Sequence, residues 1–256
     1  MTISIILRSL RSSELFALCK EITKSCTVEI EIIAVCNIND RPIDGVRYIT
    51  QNASRLEAKI IGVKNSRYDK ILFIDSDQIP EHGLIEELNN VNCDMCIIPE
   101  RFLSGSLTSV IFEEWKERIE SYARNNISPF IPVIPRFYDK QILLNIIDKL
   151  PLNYYKVVDH EDSILFYFAF KESLNIRFSS KRLFNSSETL LGTIRKAFLY
   201  GKNHREVEEA VLDEELRTLI TRINLSVFDF KHMGFGKGHL IQFLRAGAYL
   251  CGTIIG

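Results

Sequence analysis

Two carboxylates one residue apart, Asp75 and Asp77, close the run Lys70-Ile71-Leu72-Phe73-Ile74. Like charges this close raise each other's proton affinity unless a cation lies between them. A hard divalent cation, magnesium or manganese, takes oxygen ligands and commonly combines one or two protein carboxylates with substrate phosphates. Asp75-Ser76-Asp77 therefore suits neutralisation of a departing diphosphate, with Asp77 and Asp75 as metal ligands. A plainer role is a solvated turn capping a helix that starts near Pro80.

A second acidic cluster, Asp159-His160-Glu161-Asp162, precedes the apolar run Ser163-Ile164-Leu165. By itself it reads as an acidic helix N-terminus, since carboxylates stabilise that end of the dipole. Cations gather at Arg195-Lys196 and at Tyr200-Gly201-Lys202-Asn203-His204-Arg205. Arg195, Lys196, Lys202 and Arg205 are candidate acceptor or phosphate ligands, or one solvated helix face. Lys231 to His239 is glycine-rich and basic but lacks the Gly-Lys-Ser/Thr ending of a phosphate-binding Walker loop; it reads as a lid or a connection. His204, His232 and His239 are conceivable third metal ligands.

The elements that must position these groups alternate. Ile3–Leu7, Val28–Val35, Gly45–Ile49, Lys70–Ile74 and Cys93–Ile98 read as strands. Leu10–Ser25, Ser54–Lys64 and Glu81–Asn90 carry helical spacing between them. Lys70–Ile74 is apolar almost throughout, as a strand covered on both faces must be. Strand and helix in alternation give a doubly wound sheet, whose ligand crevice lies at the carboxyl ends of its strands. Beyond Pro99 the expected elements are a helix over Leu107–Arg124, an extended segment over Phe130–Tyr138, helices over Lys140–Leu150 and Asp162–Lys171, and a last strand at Ile176–Phe178. Thr189–Tyr200 and Glu206–Arg222 are expected as two more helices. Residues 1–184 then form the α/β domain and residues 185–256 a helical C-terminal extension.

The chain of 256 residues carries 32 lysines and arginines against 33 acidic residues. A net charge of -1 gives no signature of a nucleic-acid partner. Thr2 to Leu7 is too short for a secretory core, so the six cysteines are expected as reduced thiols in a cytoplasmic protein. Cys93 and Cys96 lack the second pair that a zinc ribbon needs and belong to a buried strand. No apolar run is long enough to span a bilayer. Leu240 to Ile255 suits a membrane interface, or a helix packed on the core or on a partner.

The run Leu72-Phe73-Ile74-Asp75-Ser76-Asp77 resembles the metal site of the family-two glycosyltransferases of the GT-A fold. The likeness spans about Ile3 to Lys171. Glu31 to Asp40 is similar to the family's second strand, whose end contacts the base. Ala53-Ser54-Arg55 is similar to its Ala-Arg-Asn segment. What the resemblance implies is a nucleotide-diphospho-sugar donor held by Asn37, Asn39, Asp40, Arg55, Asp75, Ser76 and Asp77. It further implies Asp162 as the base that deprotonates the acceptor, with Glu161 as alternate. Inversion, a divalent cation, a glycan or lipid-linked acceptor and peripheral contact with the cytoplasmic face of a membrane complete the expectation. If the acceptor is a lipid phosphate, Asp162 orients a group instead of taking a proton. Two alternatives are a non-catalytic nucleotide-sugar binding module and a metal-dependent phosphatase of the haloacid dehalogenase type. The phosphatase pattern places its strand near the N-terminus and a Thr or Val where this chain has Ile79.

Overall fold

A computed structural model describes residues 2–9, 12–36, 43–103, 105–157, 159–186, 189–225 and 237–255. Ten strands and nine α-helices are present among them. The strands are β1 (Ile3–Ser9), β2 (Ile30–Cys36), β3 (Val46–Thr50), β4 (Lys70–Asp75), β5 (Gln78–Pro80), β6 (Met95–Ile97), β7 (Glu100–Phe102), β8 (Pro135–Asp139), β9 (Ile176–Phe178) and β10 (Leu183–Asn185). The helices are α1 (Ser12–Ser25), α2 (Arg55–Asn65), α3 (Leu84–Asn90), α4 (Leu107–Ala123), α5 (Lys140–Ile147), α6 (Glu161–Glu172), α7 (Leu190–Ala210), α8 (Glu214–Leu225) and α9 (Lys237–Ile255).

The main sheet has seven strands in the order β3-β2-β1-β4-β8-β6-β9. Only β8 runs antiparallel to its neighbours. Both faces are covered, and the alternation along single strands shows it. Ile71 and Phe73 of β4 point into one apolar cluster with Ile6, Leu56 and Leu165, whereas Leu72 and Ile74 join Ile5, Leu7 and Leu84 in another. Each fully buried side chain of this size contributes about 1.5–3 kcal/mol. From β1 the chain winds outward to β2 and β3, then returns to place β4 on the other side of β1. That reversal makes the β1–β4 edge the topological switch point. Register puts Arg8 directly beside Asp75 there. The expected GT-A type of doubly wound mixed sheet with a helical C-terminal extension is the fold observed.

Several local expectations are corrected. Pro80 does not open a helix: it ends β5, and α3 starts at Leu84 behind Gly83, whose φ of 83° lies in the left-handed region. β5 pairs with β10, which also pairs with β7, in a second sheet of three strands. The Asp75–Asp77 triplet does not cap the helix, because β5 separates the two; Ser76 and Asp77 form the turn between β4 and β5. Ile176–Phe178 is not the last strand, since β10 follows it.

Near the C-terminus the two expected helices divide at a different place: α7 starts behind Thr189 as expected but runs unbroken through Gly201 to Ala210, and α8 starts at Glu214. Gly201 is needed because α9 crosses it. A Cβ on Gly201 would stand 2.0 Å from the Tyr249 carbonyl oxygen, and one on Gly252 would stand 2.2 Å from that of Phe198. The two glycines let the backbones touch. Cys93 and Cys96 are buried as expected. Among the described residues no helix is long and apolar enough to cross a membrane.

Candidate functional site at the end of the fourth strand

β4 delivers Asp75 and Asp77 to the switch point, with Ser76 in the turn between them. The backbone N–H of Asp75 donates to Oε1 of buried Gln78 at 3.0 Å, and the N–H of Ser186 donates to the Asp77 carbonyl at 3.1 Å. The triplet is thus fixed by the second sheet. Asp75 and Asp77, but not Ser76, border a cleft of about 340 Å³ that is also lined by Trp115, Lys196, Tyr200 and Arg245. A recess of about 170 Å³, bounded by Pro132 and Ile134, shares Glu100, Trp115, Lys116 and Arg136 with the cleft.

From the cleft wall inward runs a charge network that the sequence pattern did not reveal. Arg136 of β8 is its hub. Nη2 is 3.0 Å from Oδ2 of Asp75 and 3.1 Å from Oε1 of Glu100; Nη1 donates to Oδ2 of Asp162 at 2.8 Å. Lys59 of α2 bonds the other Asp162 oxygen and reaches Oε1 of Glu161 at 3.4 Å. Gln78, Lys116 and Asn185 also donate to Glu100. Burial opposes charge on Glu100, yet Arg136 and Lys116 hold its carboxyl well below the usual range. The same contest leaves Asp162 below its ordinary value, held there by Arg136 and Lys59. Glu161 goes the other way: burial raises it against the pull of Lys59.

α6 enters through His160, which has a left-handed φ of 67°. A non-glycine residue in that region is strained and persists only where its surroundings impose it. Asp159 is held by Asn203 of α7 at 2.7 Å, and the His160 ring lies 5.8 Å from that of Tyr200. This turn aims Glu161 and Asp162 inward at Lys59. Both stand in the first turn of α6, as an acidic helix N-terminus, and both are ion-paired there, Glu161 buried and Asp162 partly so.

Asp77 differs from the other carboxylates. It opens to the cleft, and burial followed by the charge of Asp75 raises its proton affinity. Two oxygen donors side by side, one pushed toward protonation by the other, fit a hard cation that brings phosphate oxygens with it. Among the described residues no group of three His, Cys, Asp or Glu is arranged to hold a metal ion by itself. A cation held by Asp77, and by whichever oxygen Arg136 leaves to Asp75, would need its remaining ligands from substrate and water.

The other expected residues separate. Lys196 lines the cleft. Arg195, Lys202 and Arg205 are exposed along α7 and are not among its lining residues, and Arg205 pairs with Glu209 at 2.9 Å. Arg55 stands at the start of α2, 4.0 Å from Glu161. Neither Glu161 nor Asp162 lines the cleft; they sit one layer behind it. His204 faces Glu208 and Tyr249, and His239 is also absent from the cleft wall, so neither is placed as a metal ligand. Asn37, Asn39, Asp40 and His232 lie outside the described residues.

Sequence reasoning missed Lys59, Glu100, Lys116, Arg136 and Arg245. Lys59 alone left a trace, as a charge on the buried stripe of α2 between Leu56 and Val63.

Comparison with solved structures finds this doubly wound mixed sheet again, at the level of fold. S. aureus TarS 1-349 matches with a TM-score of 0.56 at 14% identity, covering 99% of this chain and 81% of that one. TarS 1-349 in complex with UDP matches with a TM-score of 0.56 at 14% identity over 90% of this chain and 76% of that one. The complex with UDP-GlcNAc gives 0.54 at 12% identity over 99% and 82%. No family model matches the sequence, and no curated protein does so.

Proposed function

We propose that the protein is a glycosyltransferase that moves a sugar from a nucleotide-diphospho-sugar to a glycan or lipid-linked acceptor with inversion. The observation that carries this is the placement of Asp75 and Asp77 on a cleft at the β1–β4 switch point. The shared fold with TarS, whose structures hold UDP and UDP-GlcNAc, supports a donor of that class.

In the proposed reaction an acceptor oxygen attacks the anomeric carbon. The bond from that carbon to the diphosphate oxygen breaks, and the nucleoside diphosphate departs with the electron pair. A divalent cation, when bound, supplies charge neutralisation for the leaving group. Asp77 and Asp75 are its protein ligands, and Arg55 holds the nucleotide side. Arg136 fixes the Asp75 carboxylate, and Asp162 fixes Arg136. Of the two expected bases, Glu161 has the raised proton affinity that the role needs, whereas Asp162 is saturated by two cations. Asp162 thereby becomes a positioning residue in this proposal.

One observation favours a second reading. Because both Asp162 oxygens are engaged and neither acidic residue reaches the cleft, a binding module that does not turn over is the alternative. A phosphatase is disfavoured, because two strand-helix units precede β4.

Peripheral membrane contact through α9 belongs to the same proposal. Leu240, Phe243, Leu250 and Ile254 are exposed along it, and the helix carries no acidic residue. If full-length protein stays out of liposome pellets as completely as a tail deletion does, that part is wrong.

The decisive experiment is a thermal-shift series with UDP, GDP and their sugars, with and without manganese, on wild type and Asp77→Ala. A ligand that binds the native state raises its midpoint. Manganese-dependent stabilisation lost in the variant, together with donor hydrolysis, supports the transferase. Tight binding without turnover over a broad acceptor panel selects the binding module. Equal shifts in both proteins remove Asp77 from the metal site.

A further inference from the structure

The cleft has a wall that comes from the far end of the chain. α7 contributes Thr193, Lys196 and Tyr200, and α9 contributes Arg245. Arg245 is held in place, not trailing from the surface. Its Nη1 donates to Oε1 of Gln242 at 2.8 Å, and Gln242 is fully buried. Its guanidinium carbon lies 5.0 Å from the centre of the Phe112 ring of α4. A stacked guanidinium gains from the ring quadrupole and keeps its fork in a set plane. Lys196, one α-helix away, is near enough to Asp77 to oppose the rise in its proton affinity.

Three carboxylates, Asp75, Asp77 and Glu100, and four cations, Lys116, Arg136, Lys196 and Arg245, line one cleft. Glu100 is paired with Lys116 and Arg136. Asp75 and Asp77 repel a phosphate unless a cation intervenes. Lys196 and Arg245 attract one directly, and the planar fork of Arg245 matches two phosphate oxygens. We infer that Lys196 and Arg245 form a phosphate subsite, with Arg245 as a substrate-contacting residue supplied by the C-terminal helix. The subsite rests on the proposed transferase reading only for which phosphate fills it. That phosphate is either the donor diphosphate or an ionised group on the acceptor. α9 is on this view a wall of the site, and the close crossing at Gly201 and Gly252 is what carries Arg245 to it.

The test uses the full chain and three variants, Arg245→Ala, Arg245→Lys and Lys149→Ala. Lys149 is an exposed partner of Glu172 and controls for loss of one positive charge. Affinity for UDP and for inorganic pyrophosphate is measured by calorimetry with manganese. Affinity for inorganic phosphate is then measured with UDP saturating. Loss of one charge-assisted fork weakens binding roughly tenfold or more in Arg245→Ala, with partial recovery in Arg245→Lys. A drop in UDP and pyrophosphate affinity assigns the subsite to the donor. A drop confined to phosphate, with UDP bound, assigns it to the acceptor.

If Arg245→Ala melts like wild type and binds all three ligands unchanged, the subsite is disproved. A wild-type protein that binds none of them also overturns it. If Asp77→Ala keeps its diphosphate affinity while Arg245→Ala loses it, the metal assignment fails and the subsite stands.

Discussion

Arg136 Nη2 lies 3.0 Å from Oδ2 of Asp75, so the carboxylate at the end of β4 is oriented by a guanidinium from the only antiparallel strand of the main sheet among those described. Arg136 is mostly buried and also neutralises Glu100 and Asp162. Removing one partner of a buried ion pair leaves the others desolvated and uncompensated.

Arg136→Ala should therefore destabilise the fold by about 3–5 kcal/mol near neutral pH. The sign of its pH dependence follows from the carboxylates. In wild type, Glu100 and Asp162 have depressed proton affinity, so they stabilise the fold above the ordinary carboxylate range, and this is lost as pH falls through the depressed values. In the variant each keeps one cation, Lys116 for Glu100 and Lys59 for Asp162, and protonation in acid relieves the penalty that remains. Urea unfolding across that range should show the gap between the two proteins narrowing as pH drops. A gap independent of pH would mean that packing, not charge, is what Arg136 supplies.

Asp77 behaves oppositely. Its raised proton affinity means that its charge is disfavoured in the folded, cation-free protein. It subtracts stability above the ordinary carboxylate range, and the deficit disappears as pH falls through the raised value. Asp77→Asn should melt higher than wild type at neutral pH without metal, with the advantage vanishing in acid. Manganese with UDP should reverse the order by stabilising wild type alone. Melting curves over a pH series decide this; an Asn variant no more stable than wild type at neutral pH would count against it.

Glu161→Gln and Asp162→Asn should separate base from positioner. With Glu161 as base, its variant loses roughly 10²- to 10⁴-fold in kcat with little change in donor KM. Asp162→Asn should instead lower the melting point and disturb donor binding, because Lys59 and Arg136 lose a shared counter-ion. Steady-state kinetics with a fixed acceptor test the split. A kcat loss confined to Asp162→Asn, with its stability unchanged, would return the base to Asp162.

Gly252→Ala should part α7 from α9. Its Cβ would meet backbone atoms, Phe198 O at 2.2 Å and Lys202 N at 2.8 Å, which cannot swing aside as a side chain can. Overpacking of this kind costs about 1–3 kcal/mol. Thermal unfolding reports it, and diphosphate affinity should fall with it through the displaced Arg245. An unperturbed melting point would mean that the helices are free to slide.

The doubly wound core was legible because hydrophobic period and turn chemistry are local. Lys70–Ile74 announced a strand buried on both faces, and the helical spacing over Ser54–Lys64 announced α2. Short strands such as β5, β7 and β10 were missed, since three residues carry no period, and they exist only because they pair with one another. Tyr200 to Arg205 read as a break because Gly201 disfavours a helix in isolation. The crossing of α9 overrides that preference.

By itself the sequence determined the alternating α/β order, the apolar strand and the two carboxylates at its end, all properties of residues near one another in the chain. Tertiary structure decided what surrounds them. It placed Arg136 on Asp75, sealed Asp162 between Lys59 and Arg136, and brought Arg245 to a cleft that begins at Asp75, 170 positions earlier by their numbers. Charge pairing acts through space and leaves no period in a sequence, so partners drawn from separate elements become visible only once the sheet and helices have packed.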